Sequence, residues 1–276
     1  MYNKEWFGGF IVGLIALADE PFSIAHIVYL IINIIWFTVG IILIKKKVKN
    51  EKTLELIIRI SGAVLLFCVI SMRIADVILN IKADPETYKW YHVFPYSYCA
   101  FSNITLGFAA LFYKKNNIVF HFAVYMSLYG GVLSTIYPEY LSRDHFFSYV
   151  GMTSLLHHSI SIWICLIILT NKLFTPEYKK LLAYIIGFGI MLLFGVFELF
   201  VLKYPSAMNL DKPLSADIGP ITSWYVLFIA GTLVTVLFIF ILKKIYNRNT
   251  DKENKLEMEA EWKISCSIEQ DFLLLK

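Results

Sequence analysis

Two short stretches of this sequence carry side chains suited to covalent chemistry. One is FPYSYCAFSN, Phe94 to Asn103, in which Cys99 lies four residues after Pro95 and is followed by Ser102 and Asn103. The other is LLHHSIS, Leu155 to Ser161, with His157 and His158 side by side. A thiol attacks as its thiolate, so it needs a base or a positive field nearby. Histidine is the usual partner, because its pKa lies near neutrality. Cys99 with His157, or with His158 in reserve, would form a thiol–imidazole dyad. Ser102 or Asn103, one helical turn on, would face an oxyanion. Arg73 suits a phosphate, which its planar guanidinium binds with two bonds. Asp76 stands three residues beyond Arg73 and can pair with it. His26 and Glu198 are further ionisable groups set within apolar sequence. Each has a plainer reading: a cysteine in an apolar helix usually packs, and Arg73–Asp76 would serve structure alone. The shared depth of these groups is what favours a site.

That depth comes from the elements that carry them. Of the 276 residues, 58% are hydrophobic and 17% charged, against about 25% charged in a soluble domain. The charges bunch between long apolar runs. A run of about 18 such residues crosses the hydrocarbon core as one helix. We therefore expect an all-α, polytopic membrane protein, a seven-helix transmembrane bundle with spans near 24–44, 54–81, 92–113, 118–137, 147–170, 181–202 and 221–242. The connections KKKVKNEK, KKNN, NKLFTPEYKK and KKIYNR fall on one side, and the alternate connections mix acids with bases. Lysine and arginine mark the cytoplasmic face, which puts the N-terminus outside, the C-terminus in the cytoplasm and the chain in the plasma membrane. Residues 1–23 read as an extracellular interfacial or re-entrant segment, although ALA before Asp19 resembles a cleavage site. Residues 24–246 form the membrane domain and 247–276 a charged cytoplasmic tail.

On this topology Cys99 lies about seven residues into an inward-running span, and His157 about ten residues into another. These are depths of roughly 10 and 15 Å. Arg73, Asp76, Glu198 and His26 fall in the same outer half. His92, Pro95, Cys99 and Ser102/Asn103 follow helical spacing as one stripe, with Pro95 in the first turn, where it is tolerated. Glu55 and Arg59, near the inner interface, form an i,i+4 pair.

Several classes are excluded by what is missing. The cysteines Cys68, Cys99 and Cys165 lie inside apolar runs and Cys266 in the tail, which is no disulfide framework. There is no metal-ligand spacing and no nucleotide loop. No cofactor, metal, nucleic acid or protein partner is indicated; the partners expected are membrane lipids.

The chain resembles the YwaF-like bacterial integral membrane family and the eukaryotic transmembrane protein 164 group over roughly residues 22–245. The resemblance rests on PFSIAH, FPYSYC, SLYGGVLSTIYP, LLHHSISIW, the TPE triplet at Thr175 to Glu177 and NLDKPLSADIGPITSWY, in that order. The eukaryotic group is described as lysophospholipid acyltransferases using a Cys and a His. The resemblance implies Cys99 and, by its ungapped distance to the TPE triplet, His157. Many bacterial relatives carry a histidine where this chain has Ser97. The expected function is a lipid acyltransferase or acyl hydrolase working through a thioester. Its rival is a small-molecule transporter or receptor-like binder, for which the inner halves of the spans look too apolar to offer a polar path.

Overall fold

The computed structural model describes residues 22–138, 146–204, 207–212 and 223–247. The expectations for residues 1–21 and for the tail beyond 247, Cys266 included, lie outside the described residues.

Among the described residues the long elements are helices: α1 Ile24–Lys47, α2 Glu51–Ala83, α3 Tyr98–Leu111, α4 Phe120–Ile136, α5 Tyr149–Thr170, α6 Leu181–Phe200 and α7 Trp224–Asn247. Polar side chains start four of them. Ser23, Asn50, Ser97 and Ser148 each accept a hydrogen bond from a first-turn N–H, which satisfies one of the donors a helix leaves open. Lys45, Lys46 and Lys47 close α1, where cations suit the negative end of the helix dipole.

Five of these helices are long and apolar enough to cross a membrane; Tyr98–Leu111 and Phe120–Ile136 are shorter apolar helices. At 1.5 Å per residue α3 and α4 are only about 21 and 26 Å long, short of the roughly 30 Å core. The third span therefore differs from the 92–113 helix expected from sequence. Residues Trp90–Val93 form one 3-10 turn, Phe94 is extended, and α3 begins only at Tyr98. Pro95 thus precedes the N-cap Ser97 instead of sitting in a first turn, and His92 and Pro95 share no helical stripe with Cys99. The physical reason is in the capping: Pro95 biases its predecessor towards extended backbone, and Ser97 then opens the helix.

The helices pack around α2, α3, α4 and α5. Helix α5 is buried over most of its length. Helices α2 and α3 touch backbone to backbone: a Cβ on Gly62 would meet Leu111 N at 2.7 Å and Gly107 O at 2.8 Å. Small residues at such a crossing are how membrane helices approach closely. Helices α1 and α7 stand at the periphery and turn Ile31, Ile32, Ile35, Leu233, Leu237 and Phe240 outward. Trp36 of α1 stacks on Trp163 of α5 at 5.4 Å, and Thr235 of α7 takes a bond from Tyr129 of α4. Exposed apolar faces on helices of this length are faces that meet hydrocarbon. The protein is an integral membrane protein.

Candidate functional site

Cys99 is the second residue of α3. It is half-buried, whereas Cys68 and Cys165 are buried. Its sulfur lies 3.6 Å from Ser134 Oγ of α4. Gly130, one turn before Ser134, leaves the space for it: a Cβ there would lie 3.0 Å from the sulfur. Neither Ser134 nor Gly130 was singled out from sequence. The signal that could have found them is the SLYGGVLST run, in which Gly130 and Ser134 are i,i+4 and share a face.

Asn103 lies one turn further along α3 and is buried. Its Nδ2 stands 2.9 Å from His157 Nδ1 of α5. As placed, the amide donates and His157 carries its proton on Nε2; turned over, the amide would accept from Nδ1–H. The Asn103 Oδ1 atom has no hydrogen-bond partner among the described residues. The Asn103 amide thus holds an imidazole. The neighbouring His158 ring is 4.1 Å from that of His157, centroid to centroid. Both histidines are buried, and the one tied to the cysteine helix is His157. Among the described residues no hydrogen bond joins the Cys99 thiol to either histidine; the thiol rests on Ser134. Ser102 donates to the Cys99 carbonyl at 3.2 Å, a bond within its own helix.

Gly131, beside Gly130, serves the other neighbour. A Cβ on it would meet Ser161 Oγ and Ile162 of α5 at 3.0 Å. So α4 presses one glycine against the thiol of α3 and the next against the histidine-bearing helix.

The remaining expected residues gather elsewhere. Arg73 is buried in α2, ten residues before Ala83, or about 15 Å from that helix end. One of its terminal nitrogens pairs with Asp76. The other donates to the carbonyls of His92 at 2.6 Å and Phe94 at 3.3 Å. The guanidinium lies 4.4 Å from the centre of the Tyr96 ring. Its bonds serve the irregular segment before α3. Asp76 also accepts from Asn80 at 2.9 Å. Tyr96 stacks on Tyr204 at 4.5 Å, and Met208 N donates to Tyr96 O at 2.7 Å. Burial pushes the Tyr204 phenol above its ordinary range. Glu198 of α6 is fully buried in the field of Arg73, and neither carboxylate oxygen has a hydrogen-bond partner among the described residues. His26 is set apart: Phe22 N donates to its Nδ1 at 2.9 Å, so its Nε2 donates to Thr135 O at 2.8 Å. It fastens α1 to α4 beside Ser134.

With the geometry described, comparison with known families decides kinship: the model of the TMEM164 family matches residues 21–246. The chain belongs to the TMEM164 family. Neither a curated protein nor a solved structure matches it. The TMEM164 match takes in Cys99, Asn103, Ser134 and His157, together with the Arg73 cluster, and ends as α7 ends.

One expectation is corrected by burial. The half of the bundle opposite the thiol is not uniformly apolar. His121, Tyr125 and Ser127 of α4 are buried with unpartnered side-chain nitrogens or hydroxyls among the described residues. The apolar runs around them hid these positions. Glu55 and Arg59 do pair, at 2.6 Å, and Arg59 also donates to Leu111 O at 3.1 Å, closing the end of α3.

Proposed function

We propose that this TMEM164-family protein transfers or hydrolyses acyl chains of membrane phospholipids, with Cys99 as nucleophile and His157 as base. The observation that carries the reading is the bond from Asn103, one turn from Cys99 on α3, to the His157 ring at 2.9 Å. It supports the reading by tying an imidazole one helical turn along α3 from the one half-buried cysteine among the described residues. In this reading the chain has seven spans, with its N-terminus outside and its C-terminus cytoplasmic in the plasma membrane, and Cys99 opens to the outer leaflet.

The chemistry runs in two balanced halves. With the Asn103 amide turned so that its oxygen accepts from His157 Nδ1–H and Nε2 is left free, the S–H proton passes to His157 Nε2 as the sulfur attacks the acyl carbonyl carbon; the ester C–O bond breaks, and the leaving oxygen takes the proton from the imidazolium. A lysophospholipid hydroxyl, or water, then gives its proton to His157 and attacks the thioester. The sulfur leaves and regains that proton. In this reading the thiol turns from Ser134 towards the Asn103 side to reach the base. The α3 N-terminus supplies N–H groups towards the developing negative charge.

The test is acyl exchange on the full chain in nanodiscs. Cys99→Ala should lower turnover by about a thousandfold or more, and His157→Ala by on the order of a hundredfold. Unchanged exchange in both variants would overturn the assignment. A transporter is the second reading, favoured by the unpartnered polar atoms of Ser127, Tyr125 and His121. It predicts solute uptake into proteoliposomes that Cys99→Ala leaves intact.

A further inference from the structure

We propose that Ser134 is a positioning residue for Cys99: its hydroxyl holds the sulfur at the face of α4 that Gly130 leaves open. The inference rests on the reading of Cys99 as nucleophile for its catalytic meaning, but its geometry stands apart from that reading. The sulfur is 3.6 Å from Ser134 Oγ. Gly130 and Ser134 are one turn apart on α4, and any side chain at Gly130 would begin 3.0 Å from the sulfur. The seat is rigid on both sides. A Cβ on Gly131 would lie 3.0 Å from Ser161 Oγ of α5, and the carbonyl of Thr135, the residue after Ser134, is held by His26 at 2.8 Å.

A hydroxyl suits this place because it accepts from the thiol while the sulfur waits and releases it as the thiol turns to the base. It has no second charge to leave behind once the thioester forms. Ser134 therefore sets where the thiol waits, while Asn103 sets where the base waits. The two are fixed from different helices, α4 and α3, and the bundle brings them to one sulfur and one imidazole.

The experiment reads Cys99 directly, by infrared absorption of its S–H stretch and by its rate of alkylation with a membrane-permeant maleimide, quantified on the Cys99 peptide. The full chain in nanodiscs is used. Ser134→Ala should move the S–H band towards that of an unbonded thiol and change the alkylation rate of Cys99 about fivefold, in line with one lost hydrogen bond. Ser134→Thr should restore the band. Gly130→Ala should displace the sulfur and change the rate while Ser134 is still present. An S–H band and rate unchanged in Ser134→Ala would overturn the proposal. If the band moves but acyl exchange is absent from the wild-type protein as well, Ser134 keeps its role and the acyl-transfer reading falls.

Discussion

The side chain of Asn103 carries more of the site than its type suggested. A buried amide one turn from the thiol looked suited to an oxyanion. Its bond to His157 fixes the ring's plane, and with the amide oxygen accepting from Nδ1–H it leaves Nε2 as the base. This is the job a third group does in other nucleophile–base pairs: it orients the base without touching the substrate. Asn103→Ala should therefore lower kcat by on the order of a hundredfold with little change in KM, because ring orientation is lost and binding is not. A loss confined to KM in steady-state acyl exchange would place Asn103 on the substrate. Cys99 and the His157–His158 pair stand out in the sequence as reactive types inside apolar runs, and the choice of His157 there rests on the resemblance. Ser134 does not stand out: serine is ordinary in such helices, and its meaning depends on which face of α4 meets α3. Gly130 was silent for the same reason, being defined by the side chain it lacks.

At the scale of elements, the telling feature is the non-helical run before α3. Apolar sequence predicts a helix through it, because hydropathy measures transfer to lipid and says nothing of a turn braced from the neighbouring helix. Backbone without helical hydrogen bonds is tolerated at membrane depth only where protein satisfies it. Arg73 does so for the carbonyls of His92 and Phe94, and His92 Nε2 donates in turn to Leu202 O at 3.2 Å. Arg73→Met should cost about 3 kcal/mol, since it leaves Asp76 and those carbonyls without their donor. Arg73→Lys should recover only part of this, because an ammonium lacks the fork. Thermal unfolding in detergent measures both. Equal stability of the methionine and wild-type proteins would remove Arg73 from the brace. Ser97 is the N-cap that ends this run: its hydroxyl accepts from Ala100 N at 3.3 Å.

For the molecule as a whole, the number of helices and their apolar character were legible because long runs leave few other folds. The expected span 118–137 lies within two residues of α4, whereas the start of α3 was not legible, since it is set by Pro95, the Ser97 cap and the brace from α2. The lysine-rich connections give the topology its expected sense. With single cysteines placed at Lys47 and Lys115, an impermeant thiol reagent should label neither site in intact cells and both after permeabilisation. Labelling of intact cells at either site would invert the bundle. The Arg73 brace also bears on how such a chain is made. Synthesis proceeds from the N-terminus, so α2 and its guanidinium are in place before His92 and Phe94 emerge. The carbonyls that would be stranded in lipid meet a donor already waiting, and the order of the residues along the chain doubles as the order of assembly.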